Sequence, residues 1–166
     1  ASVDLWLQSS ADDADLQATL TEVRPDGQEV YVQSGWLRAS SRKLAPEQTV
    51  LWPAHTHLAP DVAPLPAGTW SPVRVGIPSL GHVFRAGSRV RLILDTPGGS
   101  RAVWLFQLKQ LPAGTRHRIA HSAPNPSSVV LPLVPGVKAP AQRPACPSLR
   151  GQPCRPYMEL ANTPTM

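Results

Sequence analysis

Serines after glycines, a His-x-His pair and a cluster of aspartates are the residues of this chain whose types and spacing suit chemistry. An esterase-type nucleophile needs Gly-x-Ser-x-Gly at a sharp strand-to-helix turn. Ser88 and Ser100 each follow a glycine, but neither stands in that frame, so both read as turn serines and no catalytic residue is assigned. His55-Thr56-His57 places two imidazoles on one side of an extended segment, a spacing that binds a divalent metal if a third ligand arrives from elsewhere. Within a proline-rich connection the plainer reading is two loop histidines. His82, His117 and His121 stand alone beside strands and read as ordinary hydrogen-bonding residues. Asp12, Asp13 and Asp15 form an acidic turn of the kind that holds Ca²⁺ with backbone carbonyls, yet the spacing is not that of an EF-hand, and solvated turn aspartates are the default. Trp6, Trp36, Trp52, Trp70 and Trp104 supply aromatic faces for a sugar cleft. Trp36 and Trp104 sit in apolar strands and read as core or interface, which leaves Trp52 and Trp70 as the better exposed candidates. No cofactor or metal site is assigned.

Cys146 and Cys154 lie eight positions apart, with Gly151 and Pro153 between them favouring a turn. A local disulfide is the leading reading and two free thiols the alternative. A disulfide would point to an oxidising compartment; the compartment is otherwise unspecified.

The elements that must position these residues are read from periodicity. In Gly81–Leu94 a turn at Ala86-Gly87-Ser88 runs into a strict alternation, with Val90, Leu92 and Leu94 on one face and Arg89, Arg91 and Ile93 on the other. Such a strand is expected to lie on a sandwich core with its arginine-bearing back to water. Val3, Leu5 and Leu7 mark a strand at the start. Asp15–Val23 fits either a helix or a strand, but Arg24-Pro25-Asp26-Gly27 is a bulged hairpin turn and Glu29–Gln33 a return strand, so the hairpin is preferred. Gly35 is expected to break the pairing before Trp36. Residues 44 to 72, with six prolines, read as a long surface connection with a short strand near Val50–Trp52. Val73–Ile77, Ala102–Leu108, Ile119–Ser122 and Val129–Val134 complete the strands, with Pro132 marking an edge or a bulge. The fold class is all-β: an antiparallel β-sandwich, with jelly-roll topology the working guess, over residues 1–136. Residues 137–166 read as an extended proline-rich arm, since ten of the twenty prolines follow Ser122.

The chain has 166 residues and a net charge of +5, one domain's worth with no apolar run near the roughly 20 residues of a membrane span. No basic-then-apolar signal segment opens it, and residue 1 is Ala, so an excised or processed piece with its first strands missing is expected. Seven of the eleven acidic residues fall in the first 29 positions, which leaves a basic back half. Its arginines are scattered, not interleaved with aromatics along a groove, so neither nucleic acid nor membrane is expected as a partner.

Three blocks carry a resemblance. Residues 11–40, with an aspartate pair, a Pro-Asp-Gly hairpin and Gly35-Trp36-Leu37-Arg38, the strand at 81–94, and SAPNPSSVVLPLVPG at 122–136 resemble, in order and spacing, the X-prolyl dipeptidyl-peptidase and cocaine esterase-type (CocE/NonD) serine hydrolases. The tail PACPSLRGQPCRPY is similar to an extension in one branch of that group. The resemblance implies the carboxy-terminal jelly-roll domain, of galactose-binding-like fold, packed on an α/β-hydrolase domain that holds the Ser-Asp-His triad. His82 stands where the family has Asn and Ser88 where it has His, and no catalytic motif of the family maps onto this chain. It implies a non-catalytic scaffold that walls the substrate cleft of an ester- or amide-hydrolysing parent, the chain alone being inactive, with self-association through an exposed edge. The alternative is a free-standing carbohydrate- or ligand-binding module of the same sandwich class.

Overall fold

A computed structural model describes residues 1–79, 81–98, 106–145 and 154–159. Ten strands, antiparallel wherever they pair, make up nearly all of its regular structure: β1 Ser2–Ser9, β2 Asp15–Val23, β3 Gln28–Arg38, β4 Ser71–Gly76, β5 Arg89–Asp95, β6 His117–Ile119, β7 His121–Ser122, β8 Asn125–Pro126, β9 Ser128–Val130 and β10 Arg155–Pro156. The first sheet runs β4-β1-β6, with β9 also paired to β1, and the second runs β10-β3-β2-β5. Strands β7 and β8 form a separate two-stranded ribbon. Among the described residues two turns of 3-10 helix, Ala39–Ser41 and Ala59–Asp61, are the helical content, and no helix there is long and apolar enough to cross a membrane. The architecture is an antiparallel β-sandwich.

Alternation explains the core. Val3, Leu5 and Leu7 of β1 and Val73 and Val75 of β4, with Ile77 beyond it, meet Leu16, Ala18 and Leu20 of β2 and Val32 and Leu37 of β3 in one buried apolar cluster. Leu92 and Leu94 of β5 pack against that cluster, whereas Val90 on the same face is 47% exposed. The Pro25-Asp26-Gly27 hairpin forms as its residues require: Gly27 takes φ 78°, and the Arg24 and Gln28 backbones close the turn. The pairing register shifts from Leu20↔Gln33 to Thr21↔Tyr31, a bulge on β3.

Five expectations need correction. Gly35 does not break β3; it pairs with Ala18, and a Cβ there would stand 1.9 Å from the Gly76 carbonyl oxygen. The glycine admits a close backbone approach between the two sheets. Val50–Trp52 is no strand, because the Thr49 and Trp52 backbones and the Thr49 hydroxyl satisfy one another in a turn. In the expected strand at 102–108, Ala102–Leu105 lie outside the described residues and Phe106–Leu108 form no ladder. Side chains hold that backbone instead, Arg38 Nη2 donating to the Gln107 carbonyl. The last expected strand is shorter, ending at Val130 before Pro132, which lacks the N–H to continue. Finally, the outer face of the second sheet meets water at Arg89 of β5, as expected of that strand, but not on β2 and β3. Register places Gln17, Thr19, Thr21, Ser34, Tyr31 and Glu29 on that face, and each is at most 2% exposed.

Candidate functional site

Burying a polar sheet face obliges each group to find a partner. Thr19 Oγ1 and Ser34 Oγ are 2.9 Å apart, Gln17 Nε2 donates to Thr19, and the Trp36 indole donates to Gln17 Oε1. Two fully buried carboxylates, Glu22 and Glu29, anchor the rest. The sequence reading singled out neither. For Glu29 a signal existed in the arginines of β5: Arg91 and Arg89 pair with Thr21 and Val23 of β2, and Val23 pairs in turn with Glu29; Glu22 faces Val90 and had no such signal.

Glu22 draws in the segment before β5. Ser88 Oγ donates to Glu22 Oε1 at 2.6 Å, His82 Nε2 lies 3.0 Å from Oε2, and Arg24 Nε lies 3.7 Å from Oε2. Burial pushes the carboxyl pKa up, but the Ser88 and His82 hydrogen bonds and the charges of His82 and Arg24 outweigh it and hold the group below its ordinary value. A serine, a histidine and an acid therefore do meet. Their order is wrong for acyl transfer, where the imidazole must sit between hydroxyl and carboxylate to take the serine proton. Here the carboxylate sits in the middle and the Ser88 proton points at it. The cluster fixes the turn into β5.

Glu29 does the same for the tail. Thr21 Oγ1 donates to Oε1 at 2.7 Å, while Arg91 Nη1 and Arg155 Nε both donate to Oε2 at 3.1 Å. Burial raises this carboxyl and its three donors lower it further, so its pKa also ends below the ordinary range. The guanidinium groups of Arg89 and Arg91 lie 5.0 and 5.1 Å from the centre of the Tyr157 ring, and the Tyr157 N–H donates to the Gly27 carbonyl. Arg24 and Arg85 donate to the Pro144 and Pro140 carbonyls. The arm thus lies along the second sheet. Cys154 is disulfide-bonded; Cys146, the other half of the expected bridge, lies outside the described residues.

A third feature is concave. Two adjoining cavities of about 330 and 270 Å³ share Trp36 and His57 in their walls. Phe106, Arg38 and Asp15 line the first and Trp52 and His55 the second. Trp36 is held by its bond to Gln17 and by Phe106, whose ring centre is 5.5 Å away. The His55 and His57 rings are 5.7 Å apart, so the His-x-His pair does converge. Arg38 grips Asp15 with two hydrogen bonds, and these, with the Lys109 N–H and both cations, more than offset burial and lower the Asp15 pKa.

The remaining candidates disperse. The acidic turn meets internal partners: Asp13 Oδ1 accepts the Ala14 and Ser40 N–H groups, and Asp12 pairs with Lys109. Among the described residues no group of three or more His, Cys, Asp or Glu gathers as a metal would need. His117 lies in β6, where burial lowers its pKa, and His121 is exposed in β7. Trp6 and Trp70 are half-buried and line neither cavity. Ser100 and Trp104 lie outside the described residues.

The fold is an antiparallel β-sandwich in which a serine, a histidine and an acid meet with the carboxylate in the middle. Its family is shown by the sequence itself: the model of the X-Pro dipeptidyl-peptidase C-terminal non-catalytic domain matches residues 1–130, and the chain belongs to that family. The resemblance of the three sequence blocks pointed to the same domain. No curated protein and no solved structure matches the chain.

Proposed function

We propose that this chain is the scaffolding domain of a peptidase whose reactive serine lies on a separate α/β-hydrolase domain of the parent, and that it walls the substrate cleft there. The family match over residues 1–130 carries this reading. The Glu22 cluster supports it, because Ser88 donates to the buried carboxylate while His82 bonds the other oxygen of that same carboxylate. The strands would then follow the jelly-roll, galactose-binding-like topology of that family. The parent's chemistry is acyl transfer through serine, releasing an amine or alcohol.

The docking face is sought among exposed apolar residues, since a domain that packs on another keeps such residues for it. Leu133 is 86%, Val134 77% and Val137 68% exposed. They follow β9, whose Val130 is paired with Ser2 at the start of β1. Polypeptide joined ahead of Ala1 therefore emerges beside them. In the parent protein, Leu133→Asp with Val134→Asp is expected to lower the melting temperature and to raise KM for an X-Pro-p-nitroanilide while the serine still turns over. Unchanged melting and kinetics would contradict the docking face. When the chain is alone, the same residues promote self-association, measurable as a concentration-dependent sedimentation coefficient.

A further inference from the structure

Strand β6 has one bare side. It lies antiparallel to β1, with Leu7↔Ile119, Gln8↔Arg118 and Ser9↔His117 in register. The Ser10 N–H donates to the Arg116 carbonyl and the Ala120 N–H to the Trp6 carbonyl, so residues 116, 118 and 120 turn their main chains toward β1. His117 and Ile119, between them, turn theirs the other way. Among the described residues nothing bonds the N–H or C=O of either on that side, and β6 is an edge of the first sheet. The edge also carries unpaired charge. Arg116 and Arg118 are exposed on the outer face, and neither guanidinium bonds or pairs with a described residue. Both line a notch of about 200 Å³ whose other walls are Gln8, Ser9, Ser10 and Gly68. The sequence holds no acid between Asp95 and Glu159, so nothing close along the chain neutralises them.

We propose that β6 accepts an extended acidic segment of a partner protein as an added antiparallel strand. The proposal is independent of the scaffolding role, and nothing in the family match assigns it. The free N–H and C=O groups of His117 and Ile119 exchange hydrogen bonds with the partner's main chain. Register then dictates the partner's side chains. Arg116 and Arg118 are two positions apart, about 7 Å along a strand, so acids with the same spacing face both. Ile119 stands opposite Leu7 on the core side and calls for an apolar neighbour. From its amino end the partner therefore reads apolar-acid-x-acid, opposite Ile119, Arg118, His117 and Arg116 in turn. A second copy of this edge is disfavoured, because antiparallel pairing of two such strands sets arginine against arginine. A small anion meets the arginines but leaves the main-chain groups of His117 and Ile119 bare.

The test is fluorescence anisotropy of a labelled peptide with Leu-Asp-Thr-Asp at its centre and threonines on either side, titrated with the 166-residue chain at about 50 mM salt. Two further peptides carry Asn or Lys in place of both aspartates. Saturable binding of the Asp peptide is expected, with a Kd of about 100 μM or tighter. The Asn peptide should bind about fivefold more weakly, the worth of two exposed ion pairs, and the Lys peptide not at all. Arg116→Glu combined with Arg118→Glu should move the preference to the Lys peptide, a gain that misfolding does not produce. His117→Pro removes an outward N–H and keeps the bonds to β1, and should weaken binding at least about tenfold. Far-ultraviolet circular dichroism identical to the parent chain establishes that each variant folds. No binding of the Asp peptide up to about 1 mM, or equal binding of the Asp and Asn peptides, would overturn the proposal. So would binding indifferent to His117→Pro, the mark of a bare anion site, or dimerisation that His117→Pro abolishes in a chain that binds no peptide.

Discussion

Strands β1 to β4 and the chain after Gly81 are held by different forces. In the first region Val3, Leu5, Leu7, Val73, Val75 and Ile77 are at most 4% exposed and pack into one apolar cluster. In the second, no residue of β5 is fully buried, and β6 to β10 are three residues long or shorter. That region is pinned through polar contacts: Ser88 and His82 on Glu22, Arg91 and Arg155 on Glu29, Tyr157 under two arginines. Apolar burial specifies a strand through its alternation, whereas a buried carboxylate specifies a loop by gathering donors from distant parts of the chain. The second device is strong only while both partners remain, since a desolvated charge left alone is costly.

The largest effect is expected in the apolar region. Leu7 is fully buried, and Leu7→Ala should cost about 3–4 kcal/mol in urea unfolding by leaving a cavity. Gly35→Ala should cost about 3 kcal/mol, because its Cβ would have to displace the Gly76 backbone. If either costs less than the pin substitutions, the division between the regions is wrong. Glu29→Ala takes the shared carboxylate from Arg91 and Arg155 and should cost about 2–3 kcal/mol, with tail residues 154–159 losing hydrogen-exchange protection before the core does. Uniform loss across the molecule would instead make the tail part of the core.

A smaller effect follows from pH. Glu22 and Glu29 both titrate below their ordinary value of 4.5 in the fold. A carboxyl whose folded pKa is depressed adds stability that is present above 4.5 and is lost as the pH falls through the folded values. The melting temperature should drop steeply below pH 4.5, and Glu22→Gln or Glu29→Gln should flatten that drop while starting from a lower plateau. An unaltered acid limb in both variants would place the pH dependence elsewhere.

Legibility followed the same division. Alternation at Val3-Leu5-Leu7 and Val73-Val75-Ile77, and the Pro25-Asp26-Gly27 turn, sufficed for the strands and the hairpin because each signal is local. Gly35 was misread because a glycine in a strand marks either an interruption or a close approach, and only the partner sheet distinguishes them. AVWLFQL looked like a buried strand from composition, yet its described end is held by the side chain of Arg38, with Asp15 accepting the Lys109 N–H just beyond it, contacts no local pattern reveals. Of the candidate site, His55, His57 and Trp52 were singled out in sequence, while Phe106 and Trp36 joined them only through the fold. Glu22 and Glu29 remained unseen because acids in strands ordinarily face water, and burial becomes affordable here through donors 60 or more positions away.

The most direct measurement is hydrolysis of p-nitrophenyl acetate and of an X-Pro-p-nitroanilide by the purified 166-residue chain and its Ser88→Ala variant. With the Ser88 proton committed to Glu22, both proteins should match the buffer rate. Turnover by the unsubstituted chain that disappears in Ser88→Ala would show that the serine works where it stands, and the non-catalytic account would fail.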